Sequence, residues 1–269
     1  MTFNSKAHEI LGESVIHIVL TLKQQLTERS NLGTELVTIF VGKQQKKFVV
    51  HKKLICETTE YFLKAFTGAF KEKKGVMHLP EESPQAFSLF IDWLYRGNVV
   101  IGNSPEYLIR LFKLYVFAEK LCLDKLANEV MDCIINMATI YEEANTSSSM
   151  LNYALKNTFV DSPLRKWALH DFAYVLYCKD KSHVIPGKEH LKVIQQLSKE
   201  SEDFLEAYLL HIRTWDKQTP HNYRTWTELR ERQCTFHRHK KGDPCSYQSL
   251  PTRTPWTTSG KDDILIQSE

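Results

Sequence analysis

The sequence predicts an α+β fold: a small three- to four-stranded sheet flanked by helices, followed by an all-α extension. Three observations carry this. A β-branched, alternating run at Leu36–Val41 is answered, across the polar turn Gly42–Lys47, by a return run at Phe48–Val50, the pattern of a hairpin. A third short run, Val76–Leu79, is closed by Pro80. Elsewhere apolar residues recur at helical spacing, and no strand pattern appears after Ile101.

Taken in order, residues 4–29 read as a helix, because Ile10, Leu11, Val15, Ile18, Val19, Leu22 and Leu26 recur near helical spacing. Thr27–Thr34, polar and containing Gly33, reads as a linker. After the hairpin the period turns helical from Lys52 to Thr67, with Leu54, Ile55, Tyr61, Phe62, Ala65 and Phe66 on the buried side and Gly68 as the break. Ser83 before Pro84 is an N-cap followed by proline at the first helical position. The helix behind it buries Phe87, Phe90, Ile91 and Leu94 and ends at Gly97; Val99–Ile101 reads as a small edge strand. Pro105 opens a helix with Leu108, Leu111, Phe112, Tyr115 and Val116 inward. Asp124 caps the next, which carries Leu126, Val130, Ile134 and Met137. The serine-rich Thr146–Ser149 marks a domain boundary. Beyond it helices are expected at about 149–158, 163–178, 188–198 and 201–215, with Ser162-Pro163 repeating the cap pattern. From Lys217 onward, prolines at 220, 244, 251 and 255 among polar residues predict a loop-rich tail. There is no repeat of solenoid period and no low-complexity tract.

The 269 residues suit one domain plus an accessory. A hydrophobic fraction of 42% and a charged fraction of 25% are those of a soluble globular chain, large enough to need no covalent staples. The net charge of +3, from 35 basic and 32 acidic side chains, does not by itself imply nucleic acid. Of the six cysteines, Cys56, Cys122, Cys133 and Cys178 sit in apolar patterns and read as small buried hydrophobes. The N-terminus lacks a secretory pattern, so a reducing, intracellular setting (cytoplasm, nucleus or both) is expected, and no apolar run approaches a membrane span.

Candidate sites are few. His51 has no nucleophile or carboxylate at a useful spacing, so it reads as a residue at the helix start whose ring bonds locally rather than as a base or ligand. The aromatic series Tyr61, Phe62, Phe66, Phe87, Phe90, Trp93 and Tyr95 reads as core, with Trp93 or Tyr95 surfacing at an interface. Cys234, His237, His239 and Cys245 form C-x2-H-x-H-x5-C, the residue types of a tetrahedral zinc site at a spacing shorter than the common finger. A tail with few apolar residues favours a metal staple; the flanking Arg238 and Lys240 disfavour a cation, and a packed or disordered segment is the other reading. Arg213–Lys241 carries eight basic and three acidic residues with Trp215, Tyr223, Trp226 and Phe236 interleaved. That is either a stripe for nucleic acid or a solvated helix face. No Gly-rich phosphate loop, nucleophile elbow, zinc-protease motif or carboxylate pair is present, so no catalytic residue is assigned.

The ordered set of residues from 34 to 140 resembles the BTB/POZ family, most closely its fungal members. The likeness rests on Phe40-Val41-Gly42, Phe48, and the run from His51 to Tyr61-Phe62 with Thr59 where serine is usual. It continues through Phe66, Phe70, Glu72 and Val76–Pro80, then Pro84, Ala86, Phe87, Leu94, Tyr95 and Gly97, and ends on Phe117-Ala118-Glu119-Lys120-Leu121 with Leu126. A looser likeness continues through Ser162-Pro163-Leu164-Arg165. The chain departs at Glu35, where many animal members have aspartate. The resemblance implies the BTB/POZ fold, a small mixed sheet flanked by helices, and self-association as a homodimer. The 4–29 segment would take the place of the family's N-terminal dimer helix without matching it closely. Phe70-Lys71-Glu72 is similar to the hydrophobic-x-Glu motif with which BTB adaptors grip a cullin, an apolar anchor filling a partner pocket beside an orienting glutamate. The other reading of those residues is a loop aromatic folded on its own core beside a solvated charge run.

The expected organisation is therefore an N-terminal helix and linker (1–33), a BTB/POZ domain (34–140), a helical extension (146–215) and a loop-rich tail with the Cys/His cluster (216–269). The expected function is protein–protein interaction and not catalysis: a self-associating domain serving as a substrate adaptor for a cullin-RING ubiquitin ligase, with an unidentified client. The alternative is an oligomerising scaffold or transcription-associated factor whose tail contacts zinc or nucleic acid. No cofactor is expected apart from that zinc, and no membrane partner.

Overall fold

The computed structural model describes residues 32–100, 102, 104–140, 146–177, 188–213 and 236–239. Three strands form one mixed sheet in the order β2-β1-β3. β1 (Leu36–Val41) and β2 (Lys46–His51) pair antiparallel with Leu36 opposite His51 and Val41 opposite Lys46. β3 (Val76–Leu79) runs parallel to β1, Thr38 facing Val76 and Val41 facing Leu79. Alternation decides which face is covered: Val37, Ile39, Val41, Val50 and Met77 are buried, while Leu36, Val49 and Val76 are exposed. At the hairpin Gly42 has φ +75°, and a β-carbon there would stand 2.8 Å from Pro84 Cγ. Two constraints, handedness and space, thus demand glycine.

A parallel pair needs a crossover. Here it consists of α1 (Lys52–Thr58), α2 (Glu60–Thr67) and a short 3-10 turn (Lys71–Lys74). The continuous helix expected over Lys52–Thr67 is therefore two. Thr59 takes extended backbone, and its hydroxyl accepts the Phe62 N–H at 3.2 Å, so a residue placed mid-helix by periodicity acts as an N-cap.

α3 (Pro84–Arg96) begins as expected, with Ser83 accepting the Ala86 N–H and Pro84 in the first turn, and ends at Gly97 in the left-handed conformation. Of its expected inward residues Phe87, Phe90 and Leu94 are buried, while Ile91 is partly covered. The edge strand expected at Val99–Ile101 does not form over Val99 and Val100; Ile101 lies outside the described residues. The next helices supply the reason. Val99 bonds through its backbone to the Glu129 carboxylate, and its carbonyl receives the Cys133 thiol at 3.9 Å. Its backbone needs are thus met by side chains and not by a ladder.

α4 (Tyr107–Lys120) begins two residues after Pro105, the Ser104-Pro105 turn receiving the Tyr107 and Leu108 N–H groups. It is buried on nearly every side, the mark of a central helix. Asp124 is the first residue of α5 (Asp124–Ile140), an acid in the first turn. Cys122, read as buried, is exposed: the tight turn between α4 and α5 holds it at φ +54°. Cys56 and Cys133 are buried as expected, and Cys178 lies outside the described residues.

The break at Thr146–Ser149 precedes α6 (Ser148–Asn157), capped by Ser147, while the Thr146 N–H donates to Asp171 Oδ2 at 2.7 Å. α7 (Pro163–Tyr177), α8 (Lys188–Glu200) and α9 (Phe204–Arg213) follow. The last starts three residues later than expected, because Ser201 and Asp203 bond to each other and the Phe204 N–H closes on the Ser201 carbonyl. Arg165 ties this region together, donating to the Leu155 carbonyl and pairing with Asp203. Phe62 stacks on Phe66 and Phe90, and Phe117 meets Phe87 and Phe90 edge-on, in the first part of the core; Leu151, Leu164, Trp167, Phe204 and Tyr208 fill the second. One hydrophobic cluster includes both. The helix expected at 4–29 and most of the tail lie outside the described residues, and among the described ones no helix is long and apolar enough to cross a membrane.

Candidate functional site

The loop after α2 presents the first candidate. Gly68 ends that helix where a β-carbon would come within 2.4 Å of the Lys64 carbonyl, and the Phe70 ring lies over the glycine. Phe70 then precedes the 3-10 turn as a residue 62% exposed, whereas Phe62 and Phe66, on the preceding helix, are fully buried. The reading in which Phe70 folds back on its own core is therefore corrected: Phe62 and Phe66 are buried there and Phe70 is not. Glu72 lies in the 3-10 turn, half-buried. Burial first, then the charges of Glu72 and Glu82, push the half-exposed Tyr61 phenol up. Phe70 and Glu72 thus give an apolar surface with an acidic edge at a short turn, and Tyr61 on α2 feels the charge of Glu72. A shallow groove of about 530 Å³ opens at the α1–α2 break, lined by Lys53, Cys56, Glu57, Thr59 and Leu63. Burial raises the Cys56 thiol, whose sulfur bonds to the Phe62 carbonyl at 3.7 Å; it has the character of packing and not of a nucleophile.

His51 ends β2 and stands at the start of α1 without capping it. Its Nδ1 lies 2.8 Å from the Tyr95 hydroxyl, which also accepts the His51 N–H at 3.1 Å. Tyr95 and Trp93 are both partly exposed, and Trp93 donates to Glu129 at 3.0 Å.

The Cys/His cluster is divided. Cys234 and Cys245 lie outside the described residues; His237 and His239 are placed, with ring centroids 5.7 Å apart. His237 Nε2 stands 2.9 Å from Asp132 Oδ1 on α5. Among the described residues no group of three or more His, Cys, Asp or Glu is arranged to hold a metal. Most of the aromatic and basic stripe over Arg213–Lys241 is likewise outside them.

The placed part of the tail makes contacts that the sequence reading did not anticipate. Phe236 is buried edge-on against Trp167 of α7, centroids 5.4 Å apart. The Asn128 side chain on α5 accepts the Arg238 N–H at 2.8 Å and donates to the Arg238 carbonyl at 3.0 Å. The Arg238 guanidinium pairs with Glu119, a carboxylate buried on α4. Burial pushes Glu119 above the usual carboxylate range, while the Ser162 hydroxyl and Arg238 act to lower it. The available signal was Asn128 and Asp132, two short polar residues one turn apart on an apolar helix.

The described fold is thus a small mixed sheet with helices followed by an all-helical region, an architecture that displays surfaces. A family model for the BTB/POZ domain matches residues 30–138, so the chain carries a BTB/POZ domain. Such domains are generally interaction modules that self-associate and bind other proteins.

Proposed function

We propose that this protein is a substrate adaptor of a cullin-RING ubiquitin ligase, in which a fungal-type BTB/POZ domain self-associates and docks a cullin while the helical extension presents a client. Its place is inside the cell, and its work is binding and not catalysis. One observation carries the cullin step: Phe70 holds a large apolar ring out to solvent on a glycine-hinged turn, with Glu72 one residue beyond Lys71. A ring so exposed beside a carboxylate suits a partner with a pocket and a donor at its rim. The test is calorimetric titration of the full-length protein with the N-terminal domain of a cullin. Micromolar or tighter binding that Phe70→Ala/Glu72→Ala abolishes supports the reading. Absence of binding by the folded, oligomeric wild type sinks it.

The alternative is an oligomerising scaffold or transcription-associated factor whose tail contacts zinc or nucleic acid; for zinc, two of its four candidate ligands, His237 and His239, stand with ring centroids 5.7 Å apart. It predicts stoichiometric zinc in the purified chain, lost in Cys234→Ser/Cys245→Ser, or nucleic-acid binding that weakens steeply with salt.

A further inference from the structure

The anchored tail segment has the chemistry of a ligand seated in a receptor. Its backbone over 237–239 is irregular, and what holds it comes from three different helices: Trp167 on α7, Asn128 and Asp132 on α5, Glu119 on α4. Each wall reads one feature. Trp167 takes an aromatic ring, the Asn128 amide takes both backbone groups of a single residue, and the buried Glu119 takes a guanidinium. A side-chain amide that clamps a main chain in both directions serves any extended peptide and does not depend on how that peptide is tethered. A carboxylate buried on α4 needs a cation to offset its desolvation, and none of its own helix neighbours provides the pair that Arg238 provides.

We propose that the cleft between α4, α5 and α7 is a peptide-binding site for aromatic-histidine-arginine segments, and that Phe236-His237-Arg238 is its tethered, exchangeable occupant. Residues 214–235 join the segment to α9, so it returns to the cleft as an intramolecular ligand. Such a tether acts at an effective concentration on the order of millimolar, and a competing peptide must overcome it. A partner carrying the same motif would displace the tail, uncovering the tail and the cleft together. The proposal is independent of the cullin reading and involves neither Phe70 nor Glu72.

The probe is a fluorescein-labelled peptide with the sequence of residues 231–241 carrying Cys234→Ser, read by fluorescence polarisation. It is titrated against the full-length Phe236→Ala/Arg238→Ala variant, whose own segment lacks both anchors. Saturable binding is expected, at least about tenfold weaker once Asn128→Ala is added or when the peptide itself carries Phe236→Ala. A scrambled peptide that binds equally well would reduce the effect to charge and overturn the proposal. So would failure to bind a variant whose circular dichroism and cooperative melt match a folded protein. If that variant does not fold, hydrogen exchange on the wild type decides: excess free peptide raises deuterium uptake at 236–239 if the segment is exchangeable, and unchanged uptake rejects it.

Discussion

Arg238 and Glu119 show what one residue can carry in this protein. The carboxylate is buried and the guanidinium is its counter-charge, from a point more than a hundred positions along the chain. Removing one partner of such a pair leaves an uncompensated charge, which costs about 3 kcal/mol. Arg238→Ala should therefore lower the melting temperature clearly, and adding Glu119→Gln should recover much of the loss. A double variant no more stable than the single one would mean that Arg238 acts through packing instead. Thr59 is a smaller case of the same kind. Loss of its cap in Thr59→Ala is expected to cost about 1 kcal/mol, measured by urea denaturation, whereas Thr59→Ser should be nearly neutral. Neither role could be read from pattern. Thr59 falls in a helical period, and Glu119 in a run of apolar residues looks like any charge at a helix end; burial and partner give each its weight.

At the level of elements, α7 and α9 meet through two imidazoles, His170 Nδ1 lying 3.2 Å from His211 Nε2. Burial lowers His211 from its ordinary 6.5 to about 4. The folded protein thus holds this ring neutral where the unfolded chain would protonate it. The resulting contribution to stability is complete above about pH 6.5 and is lost progressively as pH falls from there toward 4. Thermal melts taken at pH 7 and pH 5 should show a drop that is smaller in His211→Gln; an equal drop would assign the pH dependence elsewhere. The helices were legible because α3 and α6 each carry a cap signal beside a periodic apolar face, and α7 the Ser162-Pro163 start. Their partners were not, since periodicity gives the angle of an apolar stripe and not the helix that will cover it. The expected edge strand at Val99 failed for a related reason. Two β-branched residues suit a strand, but α5 offers Glu129 and Cys133 to the Val99 backbone, and the Tyr107 hydroxyl of α4 donates to the Val100 carbonyl.

Over the whole molecule, the BTB/POZ domain and the helices behind it share one hydrophobic cluster. The tail crosses back to α4 and α5, and Thr146 is tied to Asp171. A chain truncated after residue 145 would lose these ties and uncover the side of α4 that α6 covers. Because it also lacks Arg238, it should melt at least as far below the full chain as Arg238→Ala does, several degrees for a chain of this size. Equal melting temperatures would show the two parts to be energetically separate.

The sequence by itself determined the class of fold, the hairpin, the third strand, most helices and the likeness to the BTB/POZ family. Those follow from local period, capping chemistry and residues required for handedness, as at Gly42, and none needs knowledge of what lies across the core. It also singled out Phe70 and Glu72 from their place in a motif. Tertiary structure decided that Phe70 faces solvent while Phe62 and Phe66 are buried in the core. It also decided that Phe236, His237 and Arg238 belong to a cleft built from three helices. Contacts of that kind depend on which surfaces the folded core leaves open, and a linear pattern carries no record of distances between residues so far apart in the chain.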